Sequence, residues 1–309
     1  MAYTDREDLN YLGELFLVGA YMTPFLNMIG GLEGQRSKVS KSFIHPIAQP
    51  WGLSAASQPA ISEAVSVAAQ TAGTVIRAQD TNTVQIFQET VDVSYAKQST
   101  IGEISGLSAV GDQPVEDEFG FQKAAALRQI ALDADYSMLN GTYQAGANAT
   151  TAAKMRGIIT ACLTNTVAAG GIDISKALID EVLREMADNG AVFQNMVLLC
   201  NAFQKQGISD IYGYAPEDRH VGGVNIKQIE TDFAMIGIVY APNVPAATVL
   251  ISDMDYVFPT FCPVPDKGLL FYEDKDATAA SKKGQLYGQI GIDYGPEEFH
   301  GTLTDLSTS

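Results

Sequence analysis

The stretch EDEFGFQKAAALRQIALDADYSMLNG, residues 116–141, is the longest helical pattern in the chain and sets the frame for what lies on either side. Leu127, Ala131, Ala134 and Met138 recur at intervals of four, three and four, which lays one apolar stripe along a helix. Pro114 precedes it, and Glu116, Asp117 and Glu118 fill the first turn, where the positive end of the helix dipole favours carboxylates. Gly141 supplies a stop, being the residue type that most easily turns left-handed. At 1.5 Å per residue, about 25 residues make a rod of roughly 38 Å, long enough to cross a domain. The rod lacks catalytic spacing, since Asp133 and Asp135 stand two apart and point to different sides. A spine for other elements is the expected role.

Upstream, residues 83–95 (TVQIFQETVDVSY) are rich in strand formers. Val84 and Ile86 share one phase, and Phe87, Val91, Val93 and Tyr95 the other, so a bulge or strong twist is expected at Ile86 and Phe87. With residues 43–53 as the opposing strand, 43–110 reads as a long hairpin. Trp51, the sole tryptophan, falls in the 43–53 strand, and the Ala-, Ser- and Gln-rich tract 54–73 follows it in a hairpin with an irregular tip. A lone hairpin is marginal in water. Residues 1–42 read as an arm, with an amphipathic piece around Leu9, Leu12, Leu15 and Phe16, then Thr23-Pro24-Phe25 and five glycines from Gly13 to Gly34.

Downstream, a polar loop at 142–151 and Lys154-Met155-Arg156-Gly157-Ile158-Ile159 lead into a new lobe. There Ser175 caps a helix over 175–189, Leu178, Ile179, Val182, Leu183 and Met186 form its stripe, and Gly190 stops it. Strands at 195–200, 224–229, 234–240 and 248–252 and a helix at 203–211 make this lobe α+β. Strands follow at 256–262, 268–273 and 285–294, the last with Leu286, Ile290, Ile292 and Tyr294 on one face, and 274–283 reads as a surface loop.

Chemistry is sparse. Nineteen basic against 36 acidic residues give a formal charge of -17, which argues against a phosphate-binding groove. Arg36, Lys38 and Lys41 read as a solvated loop. Cys162, Cys200 and Cys262 show no metal or disulfide spacing and read as small buried hydrophobes in a reducing cytosol. The apolar run at 15–18 is too short for a leader or a membrane span. Gly170-Gly171 and Gly222-Gly223 read as turns, and no nucleophile elbow, P-loop, dinucleotide fingerprint or metalloprotease helix is present. His45, His220 and His300 stand apart and read as surface or hydrogen-bonded structural residues. Asp253 and Asp255 alternate on a strand and could chelate a cation, but read as a solvated strand end. No catalytic residue, metal or cofactor is expected. Ordering an arm and a hairpin costs about 1–2 kcal/mol per residue in backbone entropy, which neighbours in an assembly can offset.

The order of arm, hairpin, long helix, α+β lobe and returning strands resembles that of the tailed-phage major capsid proteins with the Hong Kong 97 fold. Thr23-Pro24-Phe25 with Ile29-Gly30 resembles the arm motif of that family, and Gln85-Ile86-Phe87 with Thr90-Val91-Asp92-Val93-Ser94 resembles the descending strand of its extended loop. The long helix followed by Arg156-Gly157-Ile158 resembles the join between peripheral and axial domains. The resemblance implies an N-terminal arm (1–42), an extended β-hairpin loop (43–110), a peripheral domain with a spine helix (111–165), an axial domain (166–255) and returning peripheral strands (256–309). It implies assembly contacts at Pro24, Phe25, Trp51, Arg77, Phe87 and Glu89. It implies hexamers and pentamers of this chain closing an icosahedral virion shell, assembled in the host cytoplasm around double-stranded DNA without sequence-specific binding. Scaffold, portal and decoration proteins are candidate further partners, a scaffold being expected as a separate chain. No lysine stands between Ser42 and Ala96, so a covalent lysine staple from this loop is not expected. A tail or decoration protein, or a cytosolic enzyme with an unrecognised carboxylate site, are the alternatives.

The charge generates a prediction of its own. Like subunits repel across every contact, and the Debye length falls from ~30 Å at 0.01 M salt to ~10 Å at 0.1 M. Light scattering should show more assembly at the higher salt, with weak binding of duplex DNA at both. Assembly that weakens with salt, or tight salt-sensitive DNA binding, would mean that local basic patches override the net charge.

Overall fold

Two apolar cores divide the chain, one under a five-stranded sheet and one under a six-stranded sheet. The computed structural model describes residues 23–32, 36–49, 56–68, 79–99, 118–212, 227–276 and 279–308. The N-terminal part holds α1 (Pro24–Met28), β1 (Lys38–Val39), β2 (Ile44–Ile47), α2 (Glu63–Ser66), β3 (Asp80–Thr83), β4 (Gln85–Ser94) and α3 (Tyr95–Ser99). The long helix is α4 (Glu118–Asn140), followed by α5 (Ile158–Ala161), β5 (Thr166–Ala168), α6 (Lys176–Asp188), β6 (Met196–Cys200) and α7 (Ala202–Tyr212). The rest is strand: β7 (Gln228–Glu230), β8 (Met235–Tyr240), β9 (Val249–Asp253), β10 (Phe258–Phe261), β11 (Leu270–Lys275), β12 (Ser281–Asp293) and β13 (His300–Thr304).

In the first sheet β12 is the common member. β4 pairs with one edge of it antiparallel from Gln85↔Ile290 to Ser94↔Ser281, while β11 and β10 pair with its other edge. The alternation holds within β4, with Phe87, Val91 and Val93 buried and Ile86 exposed, but not at its ends: Tyr95, expected on the buried phase, is exposed at the start of α3, and Val84, expected to share the phase of Ile86, is buried. The partner differs from the expected one: residues 44–47 pair with 80–83, and the ten-residue strand 85–94 pairs with a segment nearly 200 residues away. The phase break falls at Val84, between β3 and β4, rather than at Ile86 and Phe87. β11 and β12 extend to Lys275 and Lys283, which are paired, so the expected surface loop 274–283 is confined to its middle.

The spine helix covers this sheet. Its buried side chains are Phe119, Ile130, Ala134, Asp135, Met138 and Leu139, whereas Leu127 is 42% exposed and Ala131 only partly covered. The expected straight stripe is corrected to a winding one. Ile130, Ala134 and Met138 step by four residues, each step overshooting a full turn by about 40°, so the seam turns away from Leu127. Gly141 follows the helix without a positive φ, contrary to its expected left-handed stop. It is needed for close approach: a Cβ there would lie 2.5 Å from the Met155 carbonyl oxygen, and one on Gly157 would lie 2.5 Å from the Gly141 nitrogen. Gly157 N–H donates to the Gly141 carbonyl at 2.8 Å.

The second sheet runs β5-β13-β9-β6-β8-β7. Against it packs α6, whose Ile179, Val182, Leu183 and Met186 are fully buried, each worth about 1.5–3 kcal/mol of transfer free energy. The Ser175 hydroxyl caps it from the Leu178 N–H, and Gly190 ends it at φ +85°. β13 corrects one expectation: residues 300–304 leave the run 256–309 read as peripheral and pair with β5 and β9 in this second sheet.

Because two backbones meet at Gly141 and Gly157, Gly157→Ala should cost about 3 kcal/mol, the upper end of overpacking penalties. Thermal denaturation should register this as a lower midpoint, while Gly171→Ala, where a Cβ meets nothing within 4 Å, should lose only the strain of its φ of +77°.

Candidate assembly surfaces and joints

Three polar joints fix how the parts of the subunit meet. At the root of the 48–79 loop, Asn82 on β3 is fully buried. Its amide nitrogen donates to the Arg156 and Ile292 carbonyls at 3.1 and 3.0 Å, and its oxygen accepts from the Arg156 and Thr83 N–H groups at 2.8 and 2.9 Å. Beside it the Arg156 guanidinium meets Asp80 at 2.6 Å, and Tyr294 hydroxyl lies 3.4 Å from the same carboxylate. Burial pushes the Tyr294 phenol well above its ordinary range, with Asp80 adding to the effect against Arg156.

The second joint is Asp135 on the spine. Its two oxygens accept from the Leu26 N–H at 2.8 Å and the Asn243 side-chain amide at 2.7 Å. Leu26 is the third residue of α1, and Thr23 makes no side-chain cap there, so Asp135 does the work of an N-cap from another element. Burial raises the Asp135 pKa, opposed by these two hydrogen bonds. The arm is docked again at Arg36, which donates to the Met254 carbonyl, and at Lys38, which pairs with Asp293 at 2.5 Å. The solvated basic loop expected there is therefore corrected for these two residues: both lie over the Phe258 ring.

The third joint is His300, fully buried, with Nδ1 2.9 Å from Ser252 Oγ and Nε2 2.6 Å from the Tyr294 carbonyl. It ties the second sheet to the chain leaving β12. Asp253, read as solvated, is also buried, and accepts the N–H groups of Gln194, Asn195 and Asp255. Among the described residues no three His, Cys, Asp or Glu side chains converge on a metal position.

Among the described residues two exposed surfaces carry large apolar side chains close together. Residues 56–68 are exposed throughout, with Ile61 at 66% and Val67 at 83%. Between β4 and α4 lies a groove of about 300 Å³ lined by residues 85–89, Ile130, Asp133, Tyr136 and Ser137, in which Ile86 and Tyr136 are about half exposed. Among the named strands β4 pairs with β12 alone, and its first five residues line this groove.

The residues expected as contacts are scattered. Phe25 and Phe87 are buried in the first core and make intrachain packing, so in this conformation they have almost no surface to offer a neighbour. Pro24 is half-buried at the start of α1, and half-buried Glu89 lines the groove. Trp51 and Arg77 lie outside the described residues, as do His220 and the amphipathic piece at 9–16. Asp135, Asn82 and Asp80 were missed by sequence reasoning because a buried polar residue looks like an exposed one when its partners are distant in sequence.

A family model described as the SU10 major capsid protein matches residues 2–307. Among solved structures, the Cyanophage A-1(L) capsid asymmetric unit matches at TM-score 0.66 and 14% identity over 99% of this chain and 97% of that one. The capsid of a native GTA particle matches at 0.61 and 13%, over 99% and 96%. The SrpI encapsulin of Synechococcus elongatus PCC 7942 matches at 0.53 and 10%, over 93% and 92%. No curated protein matches by sequence. These likenesses give the fold: α+β, shared with phage capsids and an encapsulin.

The His300 joint predicts how stability depends on pH. Burial holds its pKa down to about 4 from an ordinary 6.5. As pH falls from about 6.5 to about 4 the unfolded chain takes up a proton that the native ring refuses, costing roughly 1.4 kcal/mol per unit. Urea unfolding across that range should lose this slope in His300→Gln; an unchanged slope would show that the ring titrates freely.

Proposed function

The chain belongs to the SU10 major capsid protein family, and we propose that its copies join as hexamers and pentamers into an icosahedral head enclosing double-stranded DNA. It is a structural shell protein of the virion. The proposal includes no catalytic step and no cofactor, and it takes scaffold, portal or decoration proteins as further partners. A GTA capsid of the same fold was computed with C5 symmetry, which supports a five-fold arrangement.

The observation that carries the mode of joining is a pair of surfaces that the subunit leaves bare. Residues 56–68 present Ile61 and Val67 exposed, and the β4–α4 groove presents Ile86 and Tyr136 on a concave surface. Seating the 56–68 segment of one copy in the groove of the next covers the exposed apolar side chains of both. Pro24, Trp51, Arg77 and Glu89 stay in the proposal as contacts at the margins. Interfaces of ordinary size bury roughly 800 Å² per partner, so this contact is one of several.

Tyr136→Asp places a charge in the groove without touching the core. The variant should keep the wild-type unfolding midpoint and need about tenfold more protein to assemble, as a loss of about 1.4 kcal/mol per contact implies. Light scattering gives the threshold and negative-stain images the shape. Normal assembly of the variant would remove the groove from the interface, and tubes in place of spheres would favour a tail protein.

A further inference from the structure

The β2–β3 ribbon, from which the 48–79 loop springs, rests on one carbonyl of β12. The Ile292 oxygen accepts from Asn82 Nδ2 at 3.0 Å and faces His45 Nε2 at 3.2 Å. A carbonyl only accepts, so Nε2 carries the proton, and in the neutral ring Nδ1 is left as an acceptor. That Nδ1 is buried and meets no partner, and His45 as a whole is 5% exposed. The ribbon sits close on β12: a Cβ on Gly291 would lie 3.3 Å from the Thr83 oxygen and 3.4 Å from His45 Cε1, so a side chain there would press on both strands of the ribbon.

We propose that the β2–β3 ribbon is a hinge locked by neutral His45 and released by acid. A second proton goes to Nδ1, where it makes a donor with no acceptor and a charge with no free counterion. The carboxylates nearby are already engaged. Asp293 on β12 is paired with Lys38 from β1 and accepts from Gly295 N–H, and Asp80 on β3 is paired with Arg156 and lies beside Tyr294. Asp293 favours the charged ring and Lys38 opposes it, but burial outweighs both and lowers the His45 pKa. With His45 only 5% exposed, the protonated imidazole reaches water by lifting β2 off β12. The ribbon strands β2 and β3 then stand at a different angle to β12. The hinge belongs to the single subunit and stands whether or not the loop tip seats in a neighbour's groove.

Hydrogen exchange of unassembled wild-type subunits tests this at about pH 7.5 and about pH 4.5, each corrected for intrinsic exchange. Peptides spanning 43–47 and 79–84 should lose about tenfold protection in acid while those spanning β6 and β9 keep theirs. His45→Gln can still donate to Ile292 but does not titrate, and should stay protected at both pH values, whereas His300→Gln should respond like wild type in these peptides. Equal protection of the wild-type ribbon at both pH values, or an acid loss in His45→Gln matching wild type, overturns the proposal. If His45→Gln does not fold, the imidazole nitrogen shifts of wild type decide: an Nε2–H tautomer with a midpoint below about 6.5 supports it, and an Nδ1–H tautomer or a higher midpoint overturns it.

Discussion

A β-strand has two hydrogen-bonding edges, and β12 has both filled. β4 occupies one along ten residues, and β11 and β10 share the other. Because side chains alternate with period two, a slip of one residue here would turn Leu286, Ile290 and Ile292 out of the core together. Polar contacts at the C-terminal end of the strand hold the register: Ile292 carries the ribbon, Asp293 holds Lys38, and the Tyr294 hydroxyl and carbonyl reach Asp80 and His300. β4, by contrast, pairs with β12 alone among the named strands.

The three joints are polar although apolar packing supplies most of the stability. Apolar contacts are non-directional and let parts slide, whereas a buried group with all its partners in place accepts one geometry. Asn82 satisfies both amide hydrogens and its oxygen twice, and Asp135 uses both oxygens. Removing one partner would leave the other buried and unpaired, at a cost of about 1–3 kcal/mol, so these joints resist partial disengagement. A shell subunit needs such joints, since small angular errors add up around a closed ring of copies.

Legibility in the sequence followed the range of the interaction. The α6 helix, its Ser175 cap and its Gly190 stop were readable because they rest on residues within one turn of each other. The spine was readable as a helix, but its buried face was not, because which side is covered depends on β4 and the second lobe. Asp133 and Asp135 illustrate the limit: the first bonds Gln129 four residues away at the surface, and the second is buried against residues more than 100 positions distant. β13 was hidden by its polar composition, His300 and Thr302 being buried beside a single leucine. Gly141 was recognised as special for the wrong reason, since close approach and left-handed backbone leave the same letter.

Charge acquires a finer meaning once the pairs are located. The chain has few cations, and the structure uses several of them internally: Lys38 on Asp293, Arg156 on Asp80, Lys97 on Glu118, and Lys267 and Lys275 together on Glu273. Lys123 and Lys282 lie over the Phe119 ring, and Arg36 is tied to the Met254 carbonyl. A phosphate-binding patch needs clustered cations facing outward with no carboxylate at hand. Most of these stand beside one, so their field is cancelled within a few ångströms and the acidic excess sets the potential farther out. The cations that hold the subunit together are thus engaged within it, and the acidic excess is what the subunit presents at a distance.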